Sequence, residues 1–548
     1  MRYFSFILIF LCSINIFSQQ YDTIHHYKLN IWKDGKIINT NAITPDLKIS
    51  FVEKDIDTLI VTTFASIYSH MTGGYYGYIN REGYWGIQEI TTDEVVVPTR
   101  GFDWFDNGIH IDMHQHTWNE YTITINNSWS FIYEGIKKCN ETIDCITNKY
   151  RNNQTTYPDS ISSIIAEIKV MRAFYHYLAI DLYGNALIYE NTTSKRQYSR
   201  KYIYNWIESE ILNNIDMLPN LVNYGRITRP VAYMILAKLY LNAEIYTGTA
   251  QWQKCINYCD SIIEGEYGYV LSEDYFDTFK KENGVCEWEN INTWYTNENL
   301  FKANNDKCNK EIIFPIIFDS EYAKGNIFHL LTLHYVHEQV YDFTTQPWNG
   351  PCTLGSFYDK YTDNDLRKAQ WLVGPIMKDG EIMKYSNMYL TNTNAIITDT
   401  VTTIEDDKAA NTFEGPRFVK FEIEPGIDAF ANSDFPIYRY ADVLLMKAEC
   451  LMRLNYGYAT EEALALINKV HTRAGLNPYT TITLDELLDE RGRELAWEGH
   501  RRQDLIRFDK FANGIWEFKP QTSKNREIFP IPGYVIEENP EYIQNSWK

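Results

Sequence analysis

The chain has 548 residues, 45% of them hydrophobic and 22% charged, which is ample material for a core and excludes a mainly disordered protein. Acidic residues outnumber basic ones by 72 to 51, for a formal charge of −21 at pH 7. A surface of that sign repels phosphate backbones and excludes nucleic acid as the main partner.

In chain order, residues 1–18 carry one positive charge, an apolar run from Phe4 to Phe17 and a terminal Ser18. These are the parts of a secretory signal, and cleavage after Ser18 is expected. A lipid anchor would instead use Cys12, although Leu11 stands where that processing wants a small side chain. No later apolar run is long enough to predict a membrane-spanning helix. Residues 19–56 form a polar N-terminal extension. A single domain is expected over 57–548, with halves 57–280 and 281–548.

Helical patterning begins at residue 57, and Gly73-Gly74 then opens an aromatic, Gly-rich stretch through Trp85. Residues 95–116 read as irregular. Helical hairpins follow: 128–146 with 161–183, then 229–243 with 252–263, then 438–454 with 461–474, where Gly475 supplies a C-terminal cap. Small residues at the crossings, such as Ala232, Ala237, Ala441 and Ala448, let tetratricopeptide-type pairs pack closely. Two long segments, 282–310 and 341–412, are rich in Asn, Thr, Gly and Trp and read as functional loops. Eight cysteines lie beyond the signal, none in a CxxC pair, and Cys286 with Cys308 is the pair best placed to bridge.

Charge crowds over residues 490–504, read as one helix in which Glu498 and Arg502 lie a turn apart. An ion-pair network reaching the 438–454 helix through Glu449 accounts for it better than catalysis by His500. His110, His114 and His116 offer nitrogen ligands, but no Cys completes a set and no metal is expected. Glu287 and Glu289 flank Trp288 from one side of any ligand, an arrangement that cannot straddle a glycosidic bond.

The excess of aromatic residues, 15% of the chain, points elsewhere. A sugar presents axial C–H groups on one face, which an indole or phenol ring can cover, while its hydroxyls need planar polar partners. Trp104 with Asp103 and Asn107, Trp348 with Asn349, and Trp288, Trp294 and Tyr295 with Asn292 supply both kinds of group. Trp104 and Trp348 are the best placed, because Gly, Pro and Asn around them predict loops. Trp85 is a further candidate, whereas Trp118, Trp129 and Trp252 belong to the core.

Several segments, in order, resemble the SusD/RagB family of outer-membrane nutrient-binding proteins. They are Arg100-Gly101-Phe102-Asp103-Trp104, Met171-Arg172-Ala173-Phe174-Tyr175, Asp181-Leu182-Tyr183-Gly184-Asn185 and Tyr224-Gly225-Arg226-Ile227-Thr228. The strongest are Arg439-Tyr440-Ala441-Asp442, Glu490-Arg491-Gly492-Arg493-Glu494-Leu495 and Glu498-Gly499-His500-Arg501-Arg502, followed by Ile528-Phe529-Pro530-Ile531-Pro532. The resemblance implies a mainly α, SusD-like fold in which tetratricopeptide-like hairpins support an irregular, long-loop binding face. It implies a place on the outer surface of the outer membrane, beside a TonB-dependent barrel of the SusC type. It also implies capture of oligosaccharide, or of peptide in some members, with no catalysis and no cofactor. Two other readings stand beside it: a hydrolase of surface glycans, and a tetratricopeptide-type adaptor for a protein segment.

Overall fold

Small side chains at helix crossings and bulky ones beside them build the scaffold. The computed structural model describes residues 28–33, 36–42, 58–101, 103–151, 159–191, 194–280, 310–405 and 412–547. The chain divides into two compact units, and the described residues 28–33 and 36–42 belong to the smaller. There, β1 (Lys28–Lys33) pairs antiparallel with β2 (Lys36–Ala42).

In the larger unit, α1 (Thr58–Thr72) packs on α4 (Ile123–Arg151), with α2 (Tyr84–Glu89) and α3 (Ile109–Gln115) between them in sequence. α4 pairs with α5 (Asp159–Tyr183), which also packs on α6 (Arg200–Leu212). α7 (Arg229–Leu241) pairs with α8 (Trp252–Ile263), which in turn lies against α9 (Tyr440–Leu454). α9 then carries α10 (Glu461–Arg473) and α11 (Leu484–Leu495), and α12 (Arg501–Arg507) follows. This is the mainly α arrangement that the hairpin pattern predicts.

Local chemistry sets the helix starts. Pro230 sits in the first turn of α7, where its missing N–H costs nothing. The Thr460 side chain accepts from the Ala463 N–H, and Thr483 with Glu486 forms a capping box on α11. At the α9–α11 junction, Ala441, Leu444, Leu445 and Ala448 bury against Ala463, Ile467, Val470 and Leu487. Each large side chain removed from water there contributes about 1.5–3 kcal/mol.

Three expectations need correction. The stretch 95–116 is not wholly irregular, since α3 forms within it. Tyr438 and Arg439 end a strand, Phe435–Arg439, that pairs with Ile312–Ile316, so the helix begins two residues later than expected. The segment 490–504 is not one helix. Ala496 is extended, while Trp497 (φ 63°) and Gly499 (φ 83°) are left-handed, which ends α11 before α12 starts.

That break creates the network. Arg491 on α11 binds Asp504 at 2.7 Å and Asp442 at 3.0 Å, so α11, α12 and α9 share charges. Arg507 binds Glu449 at 2.6 Å and Asp504 at 2.7 Å. Arg502 reaches back to Asp181 on α5 at 2.9 Å rather than to Glu498. His500 is buried among these groups, and burial together with Lys238 pushes it down to about 3, so it stays neutral and makes a poor base.

A second buried pair carries a pH dependence. Glu89 and Glu94 are both sealed from water, and they accept from the N–H groups of Gly499 and Trp497 respectively. Burial, reinforced by Glu94, pushes the Glu89 carboxyl well up; burial likewise takes Glu94 to about 8 against the pull of Arg501. Carboxyls raised in the folded state keep their protons while the unfolded chain gives them up. Stability from this pair is therefore full below about pH 4.5 and is lost on rising towards about pH 8. Glu89→Gln, which mimics the protonated form, is expected to flatten that fall. Urea midpoints at pH 5, 6.5 and 8 check it, and parallel profiles for wild type and variant would count against a raised Glu89 carboxyl.

Candidate functional site

The loop before α3 has an unusual backbone. Gly101 (φ 71°), Trp104 (φ 64°), Asp106 (φ 41°), Asn107 (φ 57°) and Gly108 (φ 80°) are all left-handed. A bulky residue such as Trp104 pays of order 1–3 kcal/mol for that conformation, and such strain concentrates at binding sites. Its surroundings hold it there. The Trp104 indole N–H donates to the Trp348 carbonyl at 2.6 Å, and Arg100 and Asp103 exchange backbone hydrogen bonds of 2.9 and 3.3 Å. Gly350 leaves space for the ring, since a Cβ at that position would stand 2.1 Å from it.

The second loop comes from the 341–412 stretch. Trp348 N–H donates to the Leu330 carbonyl at 2.6 Å, while Asn349 turns inward. The Asn349 amide donates to Thr412 at 2.9 and 3.0 Å and accepts from Arg417 at 2.9 Å. It is fully buried, so it braces the loop and is not available to a ligand, contrary to the expectation from sequence.

Trp104 and Trp348 are both partly exposed. The Arg81 guanidinium lies 5.3 Å from the centroid of the first ring and 5.6 Å from that of the second. Tyr75, 41% exposed, stacks on Trp348 at 6.1 Å and 29°, and Phe430 lies 5.4 Å from Tyr75. On the other side, exposed Asp103 accepts from the Tyr335 hydroxyl at 2.5 Å, and Tyr335 stacks on Tyr385 at 6.0 Å and 19°. Asn107 is exposed and lines an open groove of about 470 Å³. A row of rings with a carboxylate, an amide and a guanidinium along it is what a sugar chain needs: apolar faces to lie on, and planar groups for its hydroxyls.

Tyr75, Arg81, Phe430, Tyr335 and Tyr385 were not singled out from sequence. Gly73-Gly74 gave a signal for Tyr75, but nothing local marks the others. Trp85 is wholly buried and donates to the Trp497 carbonyl at 3.0 Å, so it leaves the candidate site for the core. Trp288, Asn292, Trp294 and Tyr295 lie outside the described residues, as do Cys286, Cys308 and the N-terminal signal. The described cysteines, 139, 145, 255, 259, 352 and 450, are free thiols. Of the three histidines, His114 and His116 spend their rings on backbone carbonyls, His114 at Ile90, Val95 and Glu517 and His116 at Thr91. Among the described residues, no helix is long and apolar enough to cross a membrane.

Comparison with known proteins bears on the family and the fold. A family described as "Starch-binding associating with outer membrane" matches residues 53–241. The chain is 25% identical over 428 residues to the starch-binding protein SusD of Bacteroides thetaiotaomicron, covering 70% of this chain and 72% of that protein. Its fold is similar to surface glycan-binding protein A from Bacteroides uniformis, with TM-score 0.68, 20% identity, and coverage of 90% of this chain and 100% of that one. The same holds for surface glycan-binding protein A from B. thetaiotaomicron in complex with laminarihexaose, with TM-score 0.66, 20% identity, and coverage of 89% and 99%. Since the SusD family also matches residues 268–547, more than half of the sequence, this chain belongs to the SusD family.

Proposed function

We propose that this protein captures oligosaccharide on the outer surface of the outer membrane, laying it along the Trp104–Trp348 platform, and passes it to a SusC-like TonB-dependent barrel. The protein reaches that surface through the N-terminal signal and binds without a chemical step. The observation that carries this reading is the pair of partly exposed tryptophans held by strained loops around Arg81. The strain at Trp104 is partly offset by its indole hydrogen bond and by Arg81, and the result is a preorganised binding face. Glucans head the ligand panel, because relatives bear the names of starch- and laminarin-binding proteins. Affinities on the order of micromolar to millimolar are expected for such shallow stacking.

Affinity electrophoresis and calorimetry with malto- and laminari-oligosaccharides test capture. Retardation without release of reducing ends supports it, whereas release of reducing ends would favour a hydrolase. Co-purification of a barrel from the native membrane tests the hand-off.

A quieter substitution probes the platform. Gly350→Ala forces the Trp104 ring aside, because the added methyl would stand 2.1 Å from it. The ring is partly exposed and can shift, so the melting temperature is expected to change by only about 2–4 °C. Oligosaccharide affinity is expected to fall about 5–10-fold, on the order of 1 kcal/mol. Unchanged affinity would show that the position of Trp104 does not matter to binding.

A further inference from the structure

His110 is 1% exposed; its Nδ1 has no hydrogen-bond partner, and its Nε2 has only a long contact to a carboxylate. A buried imidazole left in that state is costly unless something outside the chain satisfies it. Its Nε2 points at Asp106, 3.3 Å from Oδ2, one turn earlier across the start of α3. Glu82, in the turn before α2, completes a set in which one ligand atom from each residue lies within 4.8 Å of the others. The Glu82 backbone is fixed: its N–H donates to the Asn80 side chain at 2.9 Å, and its carbonyl accepts from Asn127 at 2.8 Å.

We propose that Glu82, Asp106 and His110 form a binding site for a divalent cation of the Zn²⁺ class. The chemistry selects the ion. One imidazole nitrogen with two carboxylates suits borderline metals, whereas Ca²⁺ and Mg²⁺ take oxygen ligands. Bonds of about 2.0 Å in a tetrahedron put neighbouring ligand atoms about 3.3 Å apart, which is the His110–Asp106 separation already present. Three protein ligands leave the fourth position open, and the groove beside Glu82, Asp106 and Asn107 supplies the access for it. Arg81 binds one oxygen of Glu82 at 3.0 Å, which leaves the other carboxylate oxygen for the ion and keeps the guanidinium beside the tryptophans. The bound ion would tie the Trp104 loop to the turn before α2. Of the three histidines that the sequence displays, only His110 takes part; His114 and His116 stay on their backbone carbonyls.

The site is tested with the metal alone, independently of any glycan. After chelator treatment, the full chain is titrated calorimetrically with ZnCl₂, alongside His110→Gln and Glu82→Gln. Wild type is expected to bind one more tight equivalent than either variant, and to gain thermal stability with Zn²⁺ that both variants lack. Co²⁺ is expected to give a visible absorption band in the wild type that His110→Gln loses. Each substitution should weaken binding at this site by at least 10-fold. Equal stoichiometry and affinity in all three proteins, or no saturable binding by the wild type, would overturn the proposal. Should His110→Gln fail to fold, Glu82→Gln decides the matter, because Glu82 is only partly buried at a surface turn.

Discussion

Replacing Arg439 by methionine is expected to remove about 3–5 kcal/mol of folding stability, the usual loss when one partner of a buried ion cluster is deleted. Arg439 ends the strand that leads into α9. Its guanidinium donates to Glu498 at 2.7 and 2.9 Å, to Glu311 at 2.7 Å and to Glu494 at 2.6 Å, and all four side chains are fully buried. Burial alone would raise the Glu494 carboxyl, but Arg473, Arg439 and Arg367 hold it well below the usual range. Without Arg439, Glu498 retains Lys420 and Glu311 retains Arg473, yet each carboxylate loses a charge-assisted partner in a site that water does not reach. A domain with roughly 5–15 kcal/mol of stability loses much of it in one step.

Urea unfolding of Arg439→Met against wild type measures this loss, with Lys254→Ala as the contrast. Lys254 meets Glu208 at 2.8 Å on the surface, with its side chain 48% exposed, and its removal is expected to cost less than about 1 kcal/mol. Adding Glu494→Gln to Arg439→Met should recover part of the loss, because it removes the one surplus carboxylate charge while Arg473 keeps Glu311 and Arg367 keeps Asp365 and Glu490. If Arg439→Met unfolds at the wild-type midpoint, the cluster is not what joins β-strand, α9 and α11.

The helical scaffold was readable because its signals are local. Ala441, Leu444, Leu445 and Ala448 repeat at helical spacing, and Gly475 stops α10 with a left-handed backbone at φ 81°. The charged run at 490–504 announced a network, but its wiring was not readable. The left-handed Trp497 and Gly499 turn α12 away from α11, and that geometry sends Arg502 to Asp181 across 321 positions of sequence. The binding face was half readable for the same reason. Gly and Asn around Trp104 and Trp348 mark loops, and both rings emerge partly exposed. Asn349 looks in sequence like an ideal sugar contact, but Arg417 and Thr412 claim it from below. Arg81 and Phe430 reach the platform only through tertiary packing, and no spacing in the chain could have placed them there. His110 and Glu82 are likewise 28 positions apart, so the histidine cluster in the sequence includes His110 but gives no sign of Glu82 beside it.

Removing the two indoles together is expected to abolish measurable oligosaccharide binding, while each single change weakens it about 10-fold. A sugar ring stacked on an aromatic face gains on the order of 1–1.5 kcal/mol at each ring, and each 1.4 kcal/mol is about a factor of ten in affinity. The two substitutions are not equivalent. Trp348→Ala removes a ring but keeps the backbone carbonyl that receives the Trp104 indole N–H. Trp104→Ala removes both the ring and that hydrogen bond, so it frees the loop as well and should cost more than Trp348→Ala. Trp104→Gly sharpens the point, because glycine adopts φ 64° without strain and should be more stable than Trp104→Ala while losing affinity to at least the same extent. The two rings share Arg81, so the double variant should depart from additivity, and a full double-mutant cycle measures that coupling. Calorimetry with laminarihexaose and a matched malto-oligosaccharide, on variants whose far-UV spectra and melting curves match the wild type, reads the outcome. A folded double variant that binds as tightly as wild type would place the cargo away from this platform, and binding lost only with Trp104 would narrow the site to the strained loop.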